Sequence, residues 1–173
     1  SSAFAIPGLR RDPRDVRQDH TPPHPLVYRM ASSAAHVMGK PLISSESGTW
    51  LREHWKESPA ALKPQLDQLF VAGINHIFYH GTVYTPRDAT WPGWYFYAST
   101  QLSLTNPLWD DFAAFNDYVA RTQSILQSGT SDNDVLIYWP LHDAIDDPRG
   151  SVLQLGVENA HWLLDSPAGR LAA

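Results

Sequence analysis

The sequence predicts an α/β fold in which short parallel strands alternate with helices. Three apolar runs, at residues 42–45, 74–80 and 134–140, have the length and composition of buried strands. Segments with apolar residues at three- and four-residue spacing separate these runs, and Gly, Pro and Ser mark their boundaries as helix stops and starts. The element order is therefore α-β-α-β-α-β-α, which is typical of βαβ units with right-handed crossovers.

The composition indicates a globular chain and excludes several classes of partner. Of the 173 residues, 43% are hydrophobic and 18% are charged, which argues against disorder. The net charge of -5, without a basic block, argues against nucleic acid and anionic membrane surfaces. No apolar run is long enough to span a bilayer. The absence of Cys rules out disulfides and thiolate metal sites but leaves the compartment open.

The first half of the chain supplies two helices and one strand after an irregular start. Residues 1–26 are rich in Pro and in alternating Arg and Asp, which predicts a surface connection with at most a short helical turn. A helix over 28–38 ends before Gly39, and the strand over 42–45 follows. Ser58 is the expected N-cap of a second helix that Gly73 ends.

The second half contains a long aromatic loop between a strand and the longest helix. The strand over 74–80 is apolar enough to be buried on both faces. Residues 81–107 form a loop of a length that is usually functional in a compact domain. A helix over 107–127 follows, and the strand over 134–140 and a helix over 152–164 come last.

The number of strands leaves two architectures open. Three strands are too few for a (β/α)8 barrel, which needs eight strands and about 250 residues. The chain is then either a small open sheet or a piece of a larger protein. The abrupt start and the unfinished helix at the end favour the piece.

Candidate site residues lie at the carboxyl ends of two predicted strands, where parallel α/β proteins bind ligands. Glu46 follows one strand and His80 ends the next, so both are expected to face one cleft. Glycoside hydrolysis needs carboxyl groups flanking the bond and aromatic platforms for the sugar. Glu46 is the candidate catalytic residue, and the candidate substrate-binding residues are His80, Trp50, Trp94 and Tyr84.

Each candidate also has a purely structural interpretation. Glu46 can be a solvated loop residue or a helix cap, and His80 a strand-end histidine with its hydrogen bonds satisfied. Trp94 can simply fold the long loop onto the rim of the sheet. Glu53 and Glu57 lie in a charged stretch and are expected to be solvated.

The sequence predicts no metal site. Oxygen ligands suit a hard cation, but the acid cluster in the loop after residue 140 lacks a recognisable cation-binding pattern. A solvated turn is the preferred interpretation of that cluster, and the remaining histidines show no paired ligand spacing. The acids in question are Asp143, Asp146 and Asp147.

Several motifs resemble the large α-L-rhamnosidases of glycoside hydrolase family 106. The resemblance covers roughly residues 28–173, with order and spacing kept. It is carried by Ala34-Ala35-His36-Val37-Met38-Gly39-Lys40-Pro41, Ser45-Glu46-Ser47-Gly48-Thr49, Ala72-Gly73-Ile74-Asn75-His76-Ile77-Phe78-Tyr79-His80-Gly81, Pro92-Gly93-Trp94, Leu126-Gln127-Ser128-Gly129 and Asp147-Pro148-Arg149-Gly150.

The resemblance implies a fold and a role for Glu46. Residues 1–130 would form the C-terminal part of a TIM-barrel catalytic domain, with strands seven and eight. Residues 131–173 would begin a truncated flavodoxin- or amidotransferase-like domain. Glu46 would be the general base of an inverting mechanism, with the acid on an earlier strand outside this chain. Calcium near the sugar hydroxyls is implied, and no organic cofactor.

The expected activity is hydrolysis of terminal α-L-rhamnosyl residues of plant or microbial glycans, incomplete in this fragment alone. Expected partners are the rhamnoside substrate and the remainder of the parent enzyme, with a periplasmic or secreted location for a full-length bacterial parent. Two alternatives stay open. One is a β-galactosidase-like barrel, and the other is a non-catalytic carbohydrate-binding module that uses the aromatic residues of 84–97.

Overall fold

A three-stranded parallel sheet and three helices form the part of the chain that the structure describes. The computed structural model describes residues 2–4, 25–51 and 53–138. The strands are ordered β1-β2-β3, and both pairs are parallel, as the alternating pattern predicts. The elements are β1 Ser2–Phe4, α1 Pro25–Val37, β2 Ser44–Ser47, α2 Pro59–Val71, β3 His76–Tyr79 and α3 Trp109–Gln127.

Strand β1 lies in a segment for which the sequence predicts only irregular structure. Ser2 pairs with Ser44 and Phe4 pairs with Glu46, which places β1 beside β2. Three residues are too few to show an alternating pattern, so the pairing depends on the neighbouring backbone and not on a local signal. The rest of the expected connection, residues 5–24, lies outside the described residues.

Strand β2 begins two residues later than predicted. Ile43 stays in the core at 2% exposure, but its N–H donates to Asn75 Oδ1 at 2.8 Å and not to a neighbouring strand. The ladder with β3 starts where Ser44 pairs with His76. Glu46 therefore lies within the last two residues of the strand, and its neighbours in the ladder fix its position.

The C-terminal ends of α1 and α2 confirm the predicted glycine stops. Gly73 has φ +89°, its N–H donates to the Phe70 C=O, and the next N–H, of Ile74, donates to the Leu69 C=O, both at 3.0 Å. These two bonds form the Schellman arrangement, in which glycine enters the left-handed region without a Cβ penalty. Gly39 ends α1 in the same way, with φ +64°.

Side-chain oxygens accept hydrogen bonds at the start of α2 and in the turn before α3. Ser58 Oγ accepts a hydrogen bond from the Ala61 N–H at 3.2 Å, which confirms the predicted cap of α2. The Asn106 side chain accepts from the Leu108 N–H at 2.9 Å just before α3, which begins slightly later than predicted. Within the described ranges, none of the helices combines the length and apolarity that crossing a bilayer requires.

The hydrophobic core lies on one face of the sheet. Ile77 and Tyr79 of β3 pack against the buried cluster that α2 and α3 contribute, whereas Phe78 points away and is 52% exposed. The prediction that this strand is buried on both faces is wrong for the described residues, because the helices cover only one face. The other face carries Glu46 and Phe78 of adjacent strands, which are 34% and 52% exposed.

Two glutamines of α3 cover the outer edge of β3. Gln123 Oε1 accepts a hydrogen bond from the Ile77 N–H at 2.6 Å. Gln127 Nε2 donates to the Asn75 C=O, also at 2.6 Å. These backbone groups point away from β2, so side chains of a helix take the place that a further strand would occupy.

The expected third strand at 134–140 does not form within the described residues. Residues 128–138 are irregular and exposed, with Val135 at 74% and Leu136 at 83%. An apolar run becomes a strand only when another strand supplies its hydrogen bonds, and none of the described strands is beside it. Residues 139–140 and the predicted helix over 152–164 lie outside the described residues.

Candidate functional site

Glu46 and His80 meet at the carboxyl ends of β2 and β3. Glu46 Oε1 lies 3.3 Å from His80 Nδ1, and both side chains are 34% exposed. The parallel ladder causes this proximity, because Glu46 pairs with Phe78 and the His80 N–H donates to the Ser47 C=O at 2.7 Å. The structure thus brings together two of the five residues that the sequence singled out.

Thr49 is a third member of this site. Its Oγ1 lies 2.8 Å from His80 Nδ1, and the residue is only 4% exposed. Gly48, with φ +90°, turns the chain immediately after β2, a conformation that glycine adopts readily. The sequence contains the signal for this turn, but not the direction in which it sends the Thr49 hydroxyl.

Two aromatic rings of the long loop form a wall beside His80. The Phe96 ring centroid is 4.8 Å and the Tyr97 centroid 5.6 Å from the His80 ring, both edge-on. Phe96 is 9% exposed and Tyr97 is 64% exposed, so Tyr97 can present a ring to a ligand. The long aromatic loop was the signal for this wall, but spacing alone does not show which rings turn toward the strand ends.

Trp94 and Tyr84 lie on the exterior of the same loop. They are 61% and 92% exposed, and no ring contact among the described residues connects either of them to His80. The Trp94 backbone N–H donates to Thr85 Oγ1 at 3.3 Å, which ties together the two sides of the loop. Any contact that these two rings make with a ligand would therefore be peripheral to the pair of Glu46 and His80.

Trp50 belongs to the hydrophobic core. It is 6% exposed and packs within the buried cluster of the helices. A ring with so little free surface is not a platform for a sugar, so the expected substrate contact does not fit this position. Its backbone instead supports the site, since the Trp50 C=O accepts from the Ser99 N–H at 2.7 Å and lies 2.9 Å from Ser99 Oγ.

A buried carboxylate, that of Glu57, lies beneath the loop that follows β3. Glu57 is 3% exposed, and its Oε1 is 3.1 Å from Ser99 Oγ. The expectation that Glu57 is solvated is wrong, because the loop after β3 folds over it. Glu53 is exposed as expected and pairs with Lys56 at 2.8 Å.

Gln101 holds the turn that carries the aromatic wall. Its side chain bonds to both backbone groups of Phe96, at 3.2 Å and 3.1 Å, and donates to the Ala98 C=O at 2.8 Å. Nε2 is also 2.8 Å from His54 Nδ1, and Gln101 is 3% exposed. A buried side chain with all of these partners fixes the turn because breaking any bond would strand a polar group away from water.

The described residues do not form a metal site by themselves. No group of three or more His, Asp and Glu side chains among them converges so as to hold an ion. The acids Asp143, Asp146 and Asp147 lie outside the described residues. The calcium that the resemblance implies therefore has no ligand set in this part of the chain.

The site contains one carboxylate whose surroundings suit proton transfer. Glu46 is a partly exposed carboxylate held by a histidine, which suits a group that accepts a proton from water. The Glu46 side chain contacts His80. No ion pair or hydrogen bond within the described residues joins it to a second carboxyl group. Glycoside hydrolysis with inversion requires a second carboxyl group about 6.5–9.5 Å away.

Comparisons with known proteins agree with this chemistry. A family model described as alpha-L-rhamnosidase, of glycoside hydrolase family 106, matches residues 17–147. A curated protein of Formosa agariphila, named "Putative beta-glucuronidase", is 36% identical over 111 residues, which are 64% of this chain and 9% of that protein.

The solved structure of a rhamnosidase from Novosphingobium sp. PP1Y is similar to this chain with a TM-score of 0.56 and 26% identity. The match covers 75% of this chain and 12% of the rhamnosidase. The chain thus spans about a tenth of the length of each relative. The family model covers most of the sequence, including both strand ends that form the site, and the chain belongs to glycoside hydrolase family 106, the α-L-rhamnosidases.

Proposed function

We propose that this chain contributes Glu46 as the general base of a glycoside hydrolase that cleaves terminal α-L-rhamnosyl residues with inversion. The observation that carries the proposal is the contact of Glu46 with His80 at adjacent strand ends, within a chain of this family. In this proposal β2 and β3 are strands seven and eight of a (β/α)8 barrel, and residues 131–173 begin a flavodoxin-like domain. The resemblance in the motifs around both strands supports that arrangement.

The proposed step is a single displacement at the anomeric carbon. Glu46 takes a proton from a water molecule as the water oxygen bonds to that carbon, and the bond to the leaving oxygen breaks. A second carboxyl group, outside the described residues, protonates the leaving oxygen. His80 holds the Glu46 carboxylate, and the exposed Tyr97 ring is placed to stack on the sugar. The proposed displacement uses no calcium ion, because no set of ligands for one converges in the described residues.

Glu46→Gln in the full-length natural enzyme tests the role of this carboxylate. The amide cannot accept the proton, so kcat on an aryl α-L-rhamnoside should fall about 10²–10⁴-fold. Glu53→Gln is the matched control, because Glu53 is exposed and its ion-pair partner among the described residues is Lys56, also at the surface. Full activity of the Glu46 variant would show that another group is the base.

A second candidate substrate is a β-glucuronide, since a relative that shares 36% identity is named for that activity. The charges around Glu46 favour the rhamnoside. The ion pairs of the described residues place no Lys or Arg beside Glu46 that would offset the carboxylate of a uronic acid. Initial rates on aryl α-L-rhamnoside, β-D-glucuronide and β-D-galactoside, measured with the full-length enzyme, separate these candidates.

A non-catalytic carbohydrate-binding role is the alternative from a different class. It is favoured by the exposure of Trp94 and Tyr84 on the long loop. If that role is correct, the 173-residue chain binds oligosaccharides, and Trp94→Ala abolishes the binding whereas Glu46→Gln leaves it unchanged. Calorimetric titration of both variants distinguishes the two roles.

A further inference from the structure

We propose that Thr49 is a positioning residue that, together with the Glu46 carboxylate beside the same ring nitrogen, fixes His80 in the tautomer with its proton on Nδ1. Nε2 is then left as an acceptor for a hydroxyl group of the sugar. The tautomer rests on two distances and on the donor and acceptor chemistry of the neighbours, whereas the contact with a sugar rests on the proposed function.

Two oxygen atoms compete for the same ring nitrogen. His80 Nδ1 lies 2.8 Å from Thr49 Oγ1 and 3.3 Å from Glu46 Oε1. Each nitrogen of a neutral imidazole is either a donor or an acceptor. The two neighbours together therefore decide which form the ring adopts.

The chemistry of the neighbours selects the donor form. A carboxylate only accepts hydrogen bonds, so an unprotonated Nδ1 would direct its lone pair at the negative Glu46 oxygen. A threonine hydroxyl can accept as readily as it donates. A proton on Nδ1 thus bonds to Thr49, the nearer oxygen, and leaves no lone pair beside the negative Glu46 oxygen.

Burial makes the contact with Thr49 persistent. Thr49 is 4% exposed, so little water competes for its hydroxyl. The backbone on both sides is also held, since Gly48 turns the chain and the His80 N–H donates to the Ser47 C=O. The two strand ends consequently keep the Thr49 hydroxyl within reach of the ring.

The consequence concerns the other ring nitrogen. In the described residues, the hydrogen-bond and ion-pair partners of the His80 side chain lie at Nδ1, and this side chain is 34% exposed. With its proton on Nδ1, the ring offers Nε2 as a lone pair to a ligand. A sugar hydroxyl is a donor of the required kind, whereas a carbonyl or ether oxygen is not.

Nitrogen-15 NMR of the histidines in the 173-residue chain tests the tautomer. At a pH at which the ring is neutral, two-bond proton–nitrogen spectra should show a pyrrole-like Nδ1 and a pyridine-like Nε2 for His80. Thr49→Val removes the nearer acceptor of the Nδ1 proton and leaves Glu46 at 3.3 Å, so the fraction of the Nε2-protonated form, which free imidazole side chains prefer, should rise. Thr49→Ser should restore the wild-type pattern.

The chain offers a matched control on the same two strands. Ser44 Oγ lies 3.1 Å from His76 Nδ1, in a pair that resembles Thr49 and His80. Ser44→Ala should change the His76 signals and leave those of His80 unchanged. This control separates a local hydroxyl effect from a general disturbance of the sheet.

Three results would overturn the inference. They are a wild-type His80 with its proton on Nε2, a Thr49→Val spectrum that matches the wild type, and a Thr49→Ser variant that behaves like Val. If the Val variant does not fold, the wild-type and Ser spectra still decide, because both must show the Nδ1 proton.

Activity separates this inference from the proposed function. In the full-length enzyme, Thr49→Val should lower kcat/KM about tenfold, and Thr49→Ser should recover it. If Glu46→Gln keeps its activity while the spectra are as expected, the proposed function fails and the tautomer assignment stands. If the spectra contradict the assignment, the inference fails even when Glu46 proves to be the base.

Discussion

Asn75 fixes the relative position of the two strands that carry the site. It is 6% exposed, and its side chain accepts from the Ile43 N–H at 2.8 Å and donates to the Pro41 C=O at 2.9 Å. Its own N–H donates to the Ile43 C=O at 3.0 Å. One residue before β3 therefore satisfies the backbone that leads into β2, and the ladder begins at the next pair.

Asn75→Asp should destabilise the chain by about 1–3 kcal/mol. The new carboxylate keeps the acceptor for Ile43 but replaces the donor with an oxygen that faces the Pro41 C=O. The free energy of unfolding in urea measures this loss. Asn133→Asp, in an exposed loop, is the control, and an equal loss for both variants would contradict the role of Asn75.

At the scale of elements, α1 and α2 end at glycines that differ in their surroundings. Both glycines have positive φ, +64° for Gly39 and +89° for Gly73. A Cβ on Gly39 would meet nothing within 4 Å, whereas a Cβ on Gly73 would lie 2.9 Å from Ser32 Cβ. Ser32 cannot easily move, because its Oγ donates to the Ala72 C=O at 2.7 Å.

Gly73→Ala should therefore cost more stability than Gly39→Ala. The Gly39 variant should lose about 1 kcal/mol of unfolding free energy, because alanine is unfavourable in the left-handed backbone conformation. The Gly73 variant adds a steric conflict in a packed region, for a total of roughly 2–4 kcal/mol. Thermal unfolding of both variants gives the comparison, and equal losses would mean that Ser32 yields to the added methyl group.

Helix ends were predictable from the sequence, but strand positions were less so. Ser58, Gly39 and Gly73 act within one turn of their own helix, so local sequence contains the whole signal. The start of β2 depends on Asn75, more than 30 residues away, and β1 depends on a partner strand. Such long-range causes leave no pattern in the segments they act on.

In the candidate site, too, some features were predictable from the sequence and others depend on distant residues. Parallel strands predict that Glu46 and His80 converge, because strand ends share one edge of the sheet. The positions of the loop residues depend instead on side-chain hydrogen bonds. Those of Gln101 and Ser99 determine which rings face the site and which part of the loop is buried. Spacing therefore could not identify Tyr97 as the ring beside His80, or Trp50 as a core residue.

At the scale of the whole molecule, two tyrosines with buried hydroxyl groups make stability depend on alkaline pH. Burial raises the pKa of Tyr28 and of Tyr79 to about 12, from an ordinary value of 10.0. The folded state therefore holds these protons at a pH where the unfolded chain releases them. Their contribution to stability is fully present below about pH 10 and is lost as the pH rises toward 12.

Tyr79→Phe should weaken this loss of stability at high pH. The Tyr79 hydroxyl has no hydrogen-bond partner among the described residues, so its removal breaks no bond there. Urea unfolding between about pH 9 and pH 12 should show a shallower decline for the variant than for the wild type. Tyr138→Phe, with a ring that is 77% exposed, is the control and should follow the wild-type curve.

The two glutamines at the edge of β3 also affect how copies of the chain can associate. A free strand edge is a template on which a second chain can add a strand and begin an aggregate. Gln123 and Gln127 occupy the groups on Ile77 and Asn75 that such growth would use. A further strand, whether from a second copy or from the rest of the proposed barrel, can therefore pair along this edge only after Gln123 and Gln127 release these groups.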